Sequence, residues 1–185
     1  MRRTLPALAL AAALAVLTSC GGDESSGSSG SSSADSPADG GSGSSELVDV
    51  CSLVSAEDVG EVLGATVTTT EVPGGGCSFN QEDPRAVSAS IVATPYDEGS
   101  GGMDGTRQGV TGVLDGATAE TLGGVGDDAF VAVGTALGGE NQQGGGAVLV
   151  GGTTVQVSVL QAEDLPADDV RQLTVDLLTL VGERA

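Results

Sequence analysis

From residue 21 to residue 45 the chain contains no apolar residue larger than Ala. The stretch is Ser, Gly, Asp and Ala with one Pro and one Glu. It buries too little surface to offset the entropy of ordering it, and it is predicted to be a flexible coil. A coil of about 25 residues has an r.m.s. reach of about 25–30 Å. Only the flanks are left to fold: a short leader, and a body beginning near Leu47. The chain therefore divides into residues 1–19, 20–45 and 46–185, with one domain of ordinary size in the last. The Ser cluster of the middle segment is either a bare spacer or an acceptor of O-linked sugar.

The leader opens on Met1-Arg2-Arg3, and residues 5–17 are almost wholly apolar. A membrane-spanning helix needs about 20 such residues. The run has instead the length of a signal-peptide core. Leu17-Thr18-Ser19-Cys20 then resembles the bacterial lipobox, in which a small residue precedes a Cys that receives a diacylglycerol and becomes the first residue after cleavage. The alternative is an ordinary secretory signal with Cys20 near the cut. A buried methylene contributes about 0.8 kcal/mol; one acyl chain holds a protein marginally and two hold it durably. The expectation is a body on the outer face of the cell membrane, anchored there through the lipid on Cys20.

The charge narrows the partners. The chain of 185 residues has 26 acids, six Arg and neither Lys nor His, for a net charge of −20. Loss of Arg2 and Arg3 with the leader would make it more negative by two. Nucleic acid and anionic membrane surfaces repel such a protein, which argues against them as partners of the body. The bland reading of the charge is solubility. Only three aromatic residues occur, Phe79, Tyr96 and Phe130, so the core must be built from Val, Leu and Ala. Without His, Lys or a free thiol in the mature chain, most nucleophile–base pairs are missing, and no serine sits in G-x-S-x-G. Two body cysteines are too few ligands for zinc, so neither a metal nor a cofactor is expected.

Those two, Cys51 and Cys77, form an even pair outside the cytoplasm and read as a disulfide. Closing a loop of about 26 residues contributes roughly 3.5 kcal/mol on the chain-entropy account. Ser55 and Asp58 have capping-box spacing; Val59, Val62 and Leu63 follow on one helical face, and Gly64 supplies the stop. Residues 66–70 are β-branched and strand-like, 73–76 a turn, and a second strand begins at Cys77. The disulfide would then staple the start of the first helix to the sheet. Residues 86–94 predict a third strand ending at Pro95. Residues 97–105 read as a loop and 106–114 as a short helix interrupted by glycine. Strands are predicted over 117–122, 128–133, 147–150 and 153–160, the last two a hairpin around Gly151-Gly152. Residues 165–181 form a final helix with Pro166, Asp168 and Asp169 in its first turn. The expected fold is α+β: a mostly antiparallel sheet of five to six strands with two or three helices on one face.

Several of these residues are similar to a known family. Val50-Cys51-Ser52-Leu53-Val54-Ser55 with Gly64 resembles the opening of the actinobacterial lipoproteins called domain of unknown function 3558. Cys77-Ser78-Phe79 resembles its second Cys with a following aromatic, and residues 124–130 (GVGDDAF) resemble its G-x-G-D-x-A-aromatic segment. Residues 152–159 look like its closing hairpin. The likeness runs from Leu47 to the end. Val50 stands where Pro is commoner and Phe79 where Trp is commoner. The resemblance implies an exported, anchored domain with one disulfide and no assigned activity. A more distant similarity to the extracytoplasmic sensor domains of mycobacterial kinases favours binding over catalysis.

The candidate sites are sparse. Gly123-Gly124-x-Gly126 precedes a strand, whereas phosphate cradles precede a helix, so it reads as a turn. Paired carboxylates at Asp127, Asp128, Glu163 and Asp164 are the only route to a hydrolase, here of glycans, although such enzymes also use aromatic platforms. Asp127 and Asp128 lack the spaced oxygen ligands of a calcium loop. Residues 134–146 (GTALGGENQQGGG) read as a long mobile insert between two strands. If a ligand binds there, Glu140, Asn141, Gln142 and Gln143 offer the hydrogen bonds. The leading expectation is a non-catalytic lipoprotein that binds a small hydrophobic or glycan ligand or another envelope protein. The alternatives are an assembly accessory without a ligand and, last, a carboxylate-dependent hydrolase.

Overall fold

The computed structural model describes residues 48–136, 138–160 and 165–185. Cys20, the 20–45 segment, Glu163 and Asp164 lie outside them. The order is α1 (Val50–Leu53), α2 (Ala56–Leu63), β1 (Thr68–Val72), β2 (Gly76–Asn80), β3 (Ser88–Pro95), a 3-10 turn (Glu98–Ser100) and α3 (Gly102–Val113). Then come β4 (Leu114–Asp115), β5 (Glu120–Thr121), β6 (Asp128–Ala136), β7 (Gln142–Val150), β8 (Thr153–Leu160) and α4 (Ala167–Arg184). The strands form one antiparallel sheet in the order β1-β2-β3-β8-β7-β6-β4, with β5 also paired to β6. The α+β class is as expected. The sheet has eight strands rather than five or six.

Local chemistry accounts for the ends of the elements. Ser55 Oγ accepts from the Asp58 N–H and an Asp58 carboxylate oxygen accepts from the Ser55 N–H, each at 3.1 Å, closing the capping box of α2. Gly64 ends that helix at φ 65°, a conformation other residues adopt at a cost. Gly151 and Gly152 both have positive φ, as a two-residue turn matched to the strand twist requires. The short α1 lies outside the predicted elements; Asp49 caps it by accepting from the Cys51 N–H. The Cys51–Cys77 disulfide ties it to β2 across a Cα–Cα distance of 5.3 Å.

The core lies on one face of the sheet. Ala89, Ile91 and Ala93 of β3 and Val155, Val157 and Val159 of β8 alternate into it. They meet Val170, Leu177, Leu178 and Val181 of α4, and α1 and α2 add Val50 and Val59. Strand β7 is where sequence and structure differ most. Residues 134–146 are not one long insert: β6 continues to Ala136 and β7 resumes at Gln142. Three consecutive glycines in β7 let helices approach from both sides. A β-carbon on Gly146 would come within 2.8 Å of Leu178 in α4, and one on Gly145 within 2.8 Å of Val110 in α3. Neighbouring strand residues point to opposite faces, so α3 lies across the sheet from α4. The expected single-face arrangement holds for α1, α2 and α4 only.

Candidate functional site

Helix α3 is fastened to the sheet from Met103 to Val110 and leaves open space along its flank. Met103 packs with Phe130 and Ala147 in a small second core that also engages Tyr96 and Val110. Arg107 donates to Asp104 at 2.9 Å and to Asp128 at 2.7 Å, with its guanidinium 5.3 Å from the Phe130 ring centroid. These contacts hold α3 over β6 and β7. Among the described residues no helix lies on the adjoining face of β8 and β3, and a trough runs between that face and α3.

The trough has two parts that share Thr106. The larger is a cavity of about 440 Å³ in which Val110, Val113, Leu114 and Leu160 supply the apolar surface and Gln143, Gln156 and Ser158 the polar surface. That volume lies within the range of small-molecule sites. The smaller, about 220 Å³, is lined by Thr94, Tyr96, Asp97, Ser100 and Thr154 among others. Thr154, Gln156, Ser158 and Leu160 are alternate residues of β8, so one strand face forms the floor for about 20 Å. Gly145 pairs with Ser158, and its missing side chain leaves room where β7 passes beneath Val110.

Three features depart from an ordinary solvated surface. The large apolar side chains most exposed in the described structure, Val113 at 63% and Leu160 at 45%, both line this cavity. Among the described residues, the side chains of Tyr96, Gln143, Gln156 and Ser158 hydrogen-bond to no protein group. Among the described residues, the larger cavity has no charged side chain in its lining, although the chain carries a net charge of −20. Asp97, in the smaller one, is already engaged. It accepts from Ser100 Oγ at 2.5 Å and from the Gly99 N–H at 2.8 Å, and these bonds, that of Ser100 first, hold its carboxyl below the usual range.

The residues singled out in the sequence scatter. Gln143 lines the cavity; Gln142 is the first residue of β7, opposite Thr135. Glu140 and Asn141 precede it, Glu140 exposed and Asn141 half-buried. Asp127 accepts from the Gly151 N–H at 3.2 Å and so braces the β7–β8 turn, while Asp128 holds Arg107. The structure gives both carboxylates work in the scaffold. Among the described residues no group of three or more His, Cys, Asp or Glu side chains comes together to hold a metal, and no helix is long and apolar enough to cross a membrane. Tyr96, Gln156, Ser158 and Leu160 escaped the sequence reading. One signal was present: β8 alternates Val inward with polar outward until Leu160, an apolar side chain on the outward face. No family model matches the chain, and no curated protein does either.

Proposed function

We propose that this protein is a non-catalytic, lipid-anchored envelope protein whose folded body binds a small ligand in the trough between α3 and β8. The anchoring rests on the leader that ends at Cys20 and on the Ser/Gly segment after it. Membership of the domain-of-unknown-function lipoprotein family rests on the short motifs around Cys51, Cys77 and Phe130, and it agrees with this reading. The observation that carries binding is the coincidence, in one cavity, of the exposed Val113 and Leu160 with the unpartnered Gln143, Gln156 and Ser158. Apolar surface left in water and polar groups left without protein partners are what a bound molecule would satisfy.

Thermal unfolding of the wild-type chain and of Val113→Glu against envelope lipids, glycans and metabolites tests this. A ligand at 100 times its Kd adds about 2.7 kcal/mol of stability. The expected result is a compound that raises the Tm of the wild type and not of the variant. A shift of equal size in both, or none in either, contradicts it, and a protein partner recovered by crosslinking would then favour the accessory role.

A further inference from the structure

The trough is asymmetric along its length. At the Val113 end it is mainly hydrocarbon, formed by Val110, Val113 and Leu114 on one wall and Leu160 on the other, with the polar Gln143 beside Leu160. At the Gly102 end it is hydroxyl-rich, with Thr94, Tyr96, Ser100 and Thr154 around the smaller cavity. Gln156 and Ser158 lie between the two ends on the β8 floor, next to one another in that strand's outward-facing series. The uncharged character continues sideways. Ser158 pairs with Ser90 in β3 and Ser90 with Ser78 in β2, a row of three serines across the bare half of the sheet.

We propose, taking the trough to be the binding site as argued above, that its ligand is a single-chain amphiphile with an uncharged, hydroxylated headgroup. The apolar end takes the hydrocarbon chain. The hydroxyl end and the neighbouring serine row take the head. Charge decides against the other heads. An anionic head would enter a protein of net charge −20 with no basic side chain among the described lining residues to receive it. Among the described lining residues a cationic head would meet a single carboxylate, the exposed Asp97 at the far end from Val113. A neutral polyol finds both donors and acceptors in Tyr96, Gln156 and Ser158, none of which has a protein partner among the described residues.

The test titrates the full-length chain with monomeric octyl β-D-glucoside, octanol, glucose, octyl sulfate and octyltrimethylammonium. It follows the backbone amide signals of Thr106, Val110, Gln156 and Ser158, so that any binding by the leader is not counted. Octyl glucoside is expected to bind most tightly. Val113→Glu should weaken it by about tenfold. Tyr96→Phe, which removes one hydrogen-bonding group, should weaken it by about fivefold and leave octanol unchanged. If octanol binds as tightly as the glucoside, or either charged probe binds more tightly, the headgroup assignment is overturned while the trough remains a binding site. If no probe moves these amides, the binding reading falls with it.

Discussion

Arg107 Nη2 lies 2.7 Å from Asp128 Oδ1, joining residues 21 apart in sequence and fastening the middle of α3 to the first residue of β6. The guanidinium also faces the Phe130 ring and reaches Asp104. With side-chain exposures of 23% and 34%, the pair is shielded enough to contribute and too wet to count as buried. Arg107→Met should cost about 1–2 kcal/mol in urea unfolding. A double-mutant cycle with Asp128→Asn should assign a large share of that loss to the pair. Additive losses would mean that the pair is uncoupled and that the packing of Met103 and Val110 and the Arg107–Phe130 contact hold the helix.

The glycines of β7 and α3 make opposite predictions. A β-carbon at position 146 meets the Phe130 carbonyl and the Leu178 side chain, with backbone on one side that cannot swing away. Gly146→Ala should destabilise by about 2–3 kcal/mol. Gly112 lies in the last turn of α3 with nothing within 4 Å of an added β-carbon. Gly112→Ala should stabilise by about 0.5 kcal/mol. Thermal melts of the two variants decide it. Two neutral substitutions would place residues 144–146 in a loop.

Why that strand was illegible follows from the same contacts. Glycine disfavours strands, and a run of three between Gln143 and Ala147 carries none of the alternation that marks one. Its place in the sheet is set by α3 and α4 pressing from either side, and the residues responsible, Val110, Thr174 and Leu178, are far away in sequence. The capping box at Ser55 and Asp58, the Gly151-Gly152 hairpin and the Cys51–Cys77 bond were legible because each depends on residue types at short or paired spacing. The trough was not, because its walls come from α3, β7 and β8, and a wall is defined by what fails to cover it. Of the polar residues proposed from the sequence, Gln143 alone lines the cavity.

Asp58 makes stability depend on pH. Its carboxyl is held below the usual range first by the Ser55 hydroxyl, then by the Ser55 N–H, with Arg184 assisting at 2.8 Å. A depressed pKa contributes stability that is fully present above the unfolded carboxyl's value, about 3.9, and is lost as pH falls through the folded value. Asp58→Asn should therefore melt below the wild type at neutral pH, and the gap should begin to narrow as pH falls beneath about 4 and close below the folded value. Paired melts across that range check this; a gap that stays constant would show that the ionised form has no special role.

The proposed lipid anchor is testable by mass. The chain isolated from its native membranes should begin at Cys20 and carry a diacylglyceryl group, and Cys20→Ala should move it to the soluble fraction. A chain that still begins at Met1 without acylation would remove the anchor from the account.

Binding in the trough is tested most directly inside the cell. A photoreactive benzoyl-phenylalanine placed at position 113, and another at the exposed position 57 on α2, can be irradiated in living cells and the intact protein weighed. The account predicts a discrete adduct of small-molecule mass at position 113 and none at 57. No adduct at 113, or the same adduct at both positions, would contradict it.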